Sequence, residues 1–149
     1  MPAVTSYPSE YIENCHKHME EQLAAFERLV QASRAPAAVS GFEPLFFGNL
    51  TLVLDACFAH RQRDREGSDG NPLNEVRLLC RALLHHDGVL TADGTIEYRP
   101  AASVLGLNIG DTVELNANRF RELSRAFFAE IERKYGADAP PGAARNRAA

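Results

Sequence analysis

Four residues at helical spacing carry the clearest chemical signal in this chain: Asn74, Arg77, Arg81 and His85 step by three or four positions and fall along one strip of a helix. Two guanidiniums beside an imidazole and an amide suit a phosphate, because Arg offers a planar fork for bidentate contact and His can move a proton near neutral pH. The same strip can equally be a solvated flank, or be neutralised by acids such as Glu43, Asp55 or Asp64 on neighbouring elements. A second basic cluster, Arg61, Arg63 and Arg65 within 60–66, alternates with acids, which reads as a salt-bridged, hydrated helix end unless it contacts phosphate.

Other chemistries find less support. Cys15, Cys57 and Cys80 are far apart, without a C-x-x-C pair, so each reads as a small buried hydrophobe rather than half of a disulfide or a zinc site. His16 and His18 point to different sides of one helix and His85 and His86 are neighbours, so neither pair chelates from one face; a metal site from His18, His60 and His85 would need three helices to converge. We expect no metal and no cofactor. Gly-rich phosphate loops, a serine nucleophile elbow and a dinucleotide fingerprint are missing from the sequence.

The elements that must hold the strip are helices. Tyr11, Ile12, Cys15, Met19, Leu23, Phe26 and Val30 predict a first helix from a Ser9 cap to Ser33. Residues 34–39 read as a linker, and Ser40 with Glu43 has capping-box spacing that predicts a second helix from Ser40, apolar nearly all round to Phe58. Asn71 as cap and Pro72 in the first turn open a third, whose buried face is Leu73, Val76, Leu79, Cys80, Leu83 and Leu84 and which stops at Gly88. Between Val89 and Leu115 the period changes to two, predicting a small hairpin or extended loop; Asn116 or Asn118 then caps a fourth helix with the stripe Phe120, Leu123, Phe127, Ile131 and Tyr135. The expected fold is all-α: an up-down four-helix bundle with a short β-hairpin or extended insertion between helices three and four, one helical domain over 1–136, and a disordered tail over 137–149.

Composition bounds the partners. A chain of 149 residues, 45% apolar and 24% charged, can bury a real core as one domain. Its net charge of −4 excludes a general nucleic-acid coat, so any RNA contact needs a local basic patch. No run approaches the roughly 18 consecutive apolar residues of a membrane span and no secretion signal opens the chain, so the expectation is a cytoplasmic protein without a membrane partner. A second helix apolar on nearly every side points to a homodimer.

The order of the long helices, the ending Leu83-Leu84-His85-His86-Asp87-Gly88-Val89, the turn Gly110-Asp111 into Val113-Glu114-Leu115, and the closing helix with Phe120 and Leu123 resemble the HEPN superfamily (higher eukaryotes and prokaryotes nucleotide-binding domain) over roughly residues 9–135. That resemblance implies a dimeric, metal-independent RNA endonuclease using an Arg, four to six other residues, then a His. Aligned on the motif, His85 takes the family's His and Cys80 stands where the family has its Arg. A thiol offers no fixed cation for the charge that develops on phosphorus oxygens. Arg81 with His86 keeps the spacing, but the two lie about 140° apart on the wheel. Two expectations follow: a non-catalytic, HEPN-like interaction module that binds RNA or an antitoxin-like protein, or an endoribonuclease that has rebuilt its site around Arg77, Arg81 and His85.

Overall fold

The computed structural model describes residues 2–137 and 139. It is built of helices, and among the described residues there is no strand. Helix α1 spans Ser9–Ala32, α2 Pro36–Ala56, α3 is a single turn at Arg63–Glu66, α4 spans Pro72–His85 and α5 Ala117–Tyr135. The four long helices are those read from the sequence, and α1, α2, α4 and α5 pack on one another, α2 against all three of the others.

Each long helix buries the stripe its periodicity marks. Ile12, Cys15, Met19, Leu23 and Phe26 of α1 meet Leu73, Val76 and Leu79 of α4 and Phe120, Leu123, Phe127 and Ile131 of α5 in one apolar core, with Phe47, Leu50 and Leu54 of α2 inside it. Aromatic rings join the helices: Phe26 packs edge-on to Phe47 and Phe58 lies against Phe127 and Phe128. The N-terminal arm closes one end, because Val4 pairs with the backbone on both sides of Arg61 and the Tyr7 amide donates to the Tyr135 carbonyl.

Two helix starts differ from the sequence reading. Pro8, not Ser9, occupies the cap position of α1, with no side-chain cap bond. Helix α2 starts at Pro36 rather than Ser40, because a proline in the first turn lacks only a donor that would be orphaned there anyway. The supposed linker shrinks to 33–35, Pro44 falls inside the helix, and Glu43 caps a different one: its carboxylate accepts the Ala117 amide of α5 at 3.1 Å. The Asn71 cap of α4 and the Asn116 cap of α5 are as expected. So is the left-handed stop after α4, with Asp87 at φ 54° and Gly88 at φ 78°.

No strand forms in the segment 86–116, so of the hairpin and the extended loop expected there the loop is what is seen. It is an irregular loop with a single antiparallel bridge between Val89 and Thr112 and a 3-10 turn at Pro100–Ala102. Three backbone bonds pair its two ends, Val113 to Gly88, Leu90 to Asp111 and Gly110 to Leu90, while between them the Thr95 amide goes to the Asp93 side chain, the Glu97 amide to the Ser68 carbonyl, and the Val104 and Leu105 amides to Glu75, so the pairing does not extend into a ladder. The tail expected over 137–149 lies, apart from 137 and 139, outside the described residues.

Helix α2 is long and apolar enough by length and composition to cross a membrane, although Glu43 and Asp55 interrupt it and it holds no run of 18 consecutive apolar residues. One side of it is nevertheless committed to α1, α4 and α5 through Phe47, Gly48, Leu50, Thr51 and Leu54.

Candidate functional site

Helix α4 presents the strip Asn74, Arg77, Arg81 and His85, and the structure divides it in two. Asn74 and Arg77 belong to a buried polar knot centred on Glu66, whose side chain is fully enclosed. Its two oxygens accept Arg61 Nε at 2.8 Å, Arg77 Nη2 at 2.6 Å and Nε at 3.1 Å, and Asn74 Nδ2 at 2.7 Å. Arg61 in turn donates to Asp55 at 2.9 Å and to the carbonyls of Phe58 and Leu73. Arg61 and Arg77 thus face Asp55 and Glu66, and half-exposed Arg63 approaches Glu66 from the solvent side at 3.9 Å. Burial pushes the Glu66 carboxyl up, but the Arg77 hydrogen bond and the charges of Arg61 and Arg77 outweigh it, so Glu66 titrates below the usual range.

The local fold explains why these groups meet. Gly67 at φ 80° and Gly70 at φ 84° turn the chain sharply between α3 and α4. Asn71 then caps α4 through the Leu73 and Asn74 amides while its own amide holds the Glu66 carbonyl at 2.8 Å. The turn delivers Glu66 to the start of the strip. Gly70 approaches so closely that a Cβ there would lie 2.4 Å from the Glu97 carbonyl oxygen.

The other half of the strip faces outward. Arg81 pairs with Asp93 of the loop at 2.5 Å, and Asp93 is fixed by the Thr95 hydroxyl at 2.6 Å and amide at 2.8 Å. Those Thr95 bonds first, and Arg81 after them, hold the Asp93 carboxyl well below its ordinary range. His85, the last residue of α4, is exposed. Cys80 lies inside, its Sγ 3.6 Å from the Thr51 carbonyl of α2, and burial pushes its pKa up to about 12. Cys80 is therefore a packing contact between α4 and α2.

The acids hydrogen-bonded to the strip are thus Glu66 and Asp93; of those the sequence suggested, Asp55 belongs to the same knot through Arg61 and adds its charge opposite Arg77, while Glu43 serves α5. The run 60–66 is salt-bridged as expected but not hydrated throughout: Arg61 and Glu66 are core groups, Arg63 is half-exposed, and Arg65 donates to the Lys134 carbonyl at 3.0 Å, so Arg61, Arg63 and Arg65 do not share a surface. Sequence reading also passed over Glu75, buried in α4, whose carboxylate accepts Val104 and Leu105 amides at 2.8 and 3.0 Å and ties the loop to the helix. Burial raises its pKa. Only its place on the apolar side of α4, among Val76, Leu79 and Cys80, could have betrayed it.

His18, His60 and His85 are all exposed, and among the described residues no group of three His, Cys, Asp or Glu is placed to hold a metal ion. A shallow depression of about 260 Å³ lies between Ser40, Glu43 and Pro44 of α2 and 114–119, but Glu43 already occupies the donor end of α5 there. Comparison of the chain with protein-family models, with curated proteins and with solved structures finds no match.

Proposed function

We propose that this chain is a divergent, HEPN-like helical interaction module that does not cut RNA and works through the outward side of α2. In this reading the four long helices are an up-down bundle, the loop 86–116 is its insertion, and its partners are met in the cytoplasm. The observation that carries it is the neutralised strip: Arg77 and Asn74 are bound to Glu66, Arg81 is bound to Asp93, and Cys80 is buried in the place of a catalytic cation. Phosphoryl chemistry needs a cation that meets charge only as the transition state forms. Here the two strip cations already have carboxylate partners.

The runner-up reading, a metal-independent endoribonuclease, is favoured by one feature. Arg81 and His85 stand one turn apart on the same flank, and the Arg81 side chain is 40% exposed, so an arriving phosphate could displace Asp93 from a pair worth little in water. The strip would then serve as an RNA contact.

The two readings separate in one assay. Purified protein is incubated with structured and single-stranded RNA in chelator, beside His85→Ala and Arg81→Ala. The module reading expects intact RNA in every lane. Cleavage by the parent that both substitutions abolish would replace it with the nuclease, and salt-sensitive binding without cleavage, weakened by Arg81→Ala, would make RNA the partner of a non-catalytic strip.

A further inference from the structure

Helix α2 carries no charge on the side it turns to solvent. Gly41, Phe42, Leu45, Asn49, Leu52, Val53 and Ala56 fall in one sector about 120° wide, while Glu43 and Asp55 sit on its flanks and are spoken for by Ala117 and Arg61. Leu45 is 68% exposed, Phe42 43% and Val53 42%. The outward sides of α1 and α5 are by contrast studded with charge, including Glu13, Lys17 and Glu20 on one and Glu122, Arg125 and Arg133 on the other. On α4, Leu84 is also exposed. It neighbours Leu83, whose side chain lies against Gly48.

We infer that this face is the contact with a second copy of the chain, two α2 helices crossing antiparallel on a two-fold axis at Asn49. The inference rests on the reading of α2 as the interaction face and names its partner. Area is the first argument. At ordinary side-chain sizes, Phe42, Leu45 and Val53 together expose about 250 Å² of apolar surface, close to a third of the roughly 800 Å² that each partner buries in a standard interface. Partly exposed Phe46 and Leu52 add to a centre of that kind.

Self-complementarity is the second. Asn49 is the midpoint between Phe42 and Ala56, so an axis through it sets residue 49 + n against 49 − n. Phe42 then meets Ala56, Leu45 meets Val53, and Phe46 meets Leu52, large side chains opposite smaller ones. A parallel pair would instead stack Phe42 on Phe42 and Leu45 on Leu45 and leave Ala56 facing Ala56 across a gap.

The third argument is Asn49 itself, an amide in the middle of an apolar face. Its oxygen accepts and its nitrogen donates, so its symmetry mate satisfies it in both directions. Acyl chains or a purely apolar groove would bury it unpaired, at a cost of about 1–3 kcal/mol. A single Asn in an apolar seam is also a known way of fixing register and partner number.

Sedimentation equilibrium at micromolar concentration tests the partner, and cross-linking tests the geometry. The parent is expected at twice the chain mass. Leu45→Glu, at an exposed position that leaves the core alone, is expected to be monomeric with an unchanged circular dichroism spectrum, its dimer dissociation constant raised on the order of 100-fold or more. Should that variant unfold, Asn49→Asp, which sets two like charges face to face, gives the same readout. Under copper–phenanthroline and oxygen, Asn49→Cys is expected to form a covalent dimer. Leu45→Cys is not, because antiparallel helices hold the two Leu45 positions about 12 Å apart along the axis, beyond disulfide reach. Cross-linking of Leu45→Cys would overturn the antiparallel register. A monomeric parent, or one that instead sediments with phosphatidylcholine vesicles, overturns the second copy alone. A dimer that Leu45→Glu leaves intact and Asn49→Cys fails to cross-link overturns both this inference and α2 as the interaction face.

Discussion

Removing the Glu66 carboxylate should destabilise the fold in a way that reports the whole polar knot. The carboxylate accepts four hydrogen bonds from three side chains. Arg77, with its side chain 21% exposed, can turn to water when the acid is lost, but Arg61 at 1% cannot. Arg61 keeps Asp55 and two carbonyls, yet its Nε is left buried without an acceptor. Breaking a buried pair from one side costs about 3–5 kcal/mol, and the retained Asp55 places Glu66→Ala near the lower end. At about 2–4 °C per kcal/mol for a chain of this size, the melting temperature should fall by roughly 6–12 °C. The pH dependence sharpens the test. The folded-state pKa of Glu66 lies below its ordinary value of 4.5, so its stabilisation is complete above that value and is lost as the pH falls through the folded pKa. The gap between parent and Glu66→Gln, measured by urea unfolding, should be full at neutral pH and shrink below pH 4.5, where the protonated parent comes to resemble the amide. A Glu66→Ala melting temperature within about 2 °C of the parent, or a gap that ignores pH, would refute the reasoning.

Other positions give sharper contrasts. Gly48 lies in α2, where an added Cβ would meet nothing nearer than the Leu83 side chain at 3.8 Å, so Gly48→Ala should stabilise by about 0.5–1 kcal/mol in urea unfolding. Gly70→Ala meets both a positive φ and the Glu97 carbonyl oxygen at 2.4 Å, and should cost about 1–3 kcal/mol in the same assay. The Val104 and Leu105 amides, bound to Glu75, should exchange slowly with solvent deuterium in the parent and lose protection in Glu75→Ala while the α5 core amides keep theirs.

Much of this architecture is legible in the residues. The stripes of α1, α4 and α5 and the caps Asn71 and Asn116 are local signals, and local physics decides them. The start of α2 misleads because Ser40 and Glu43 imitate a capping box while Pro36 already opens the helix and Glu43 serves α5, 74 residues further on. The loop 86–116 misleads for a related reason. Alternating residues such as Thr95-Ile96-Glu97-Tyr98 have the period of a strand, but Asp93 takes the Thr95 amide, the Ser68 carbonyl takes the Glu97 amide, and Glu75 takes the Val104 amide further on. At the strip, spacing identifies which residues share a face but not what answers them. The partner of Arg77 comes from the far side of a glycine turn, and Glu66, in a densely charged run, carries no mark of complete burial.

The central claim is that this molecule interacts through α2 and not through the cations of α4. Amide chemical shifts of isotope-labelled protein, followed first on dilution from millimolar to micromolar concentration and then on titration with RNA in chelator, test it most directly. Shifts on dilution are expected only within 41–57, with Arg77, Arg81 and His85 unmoved in both series. Perturbation centred on Arg81 and His85 by RNA, with α2 silent throughout, would contradict it.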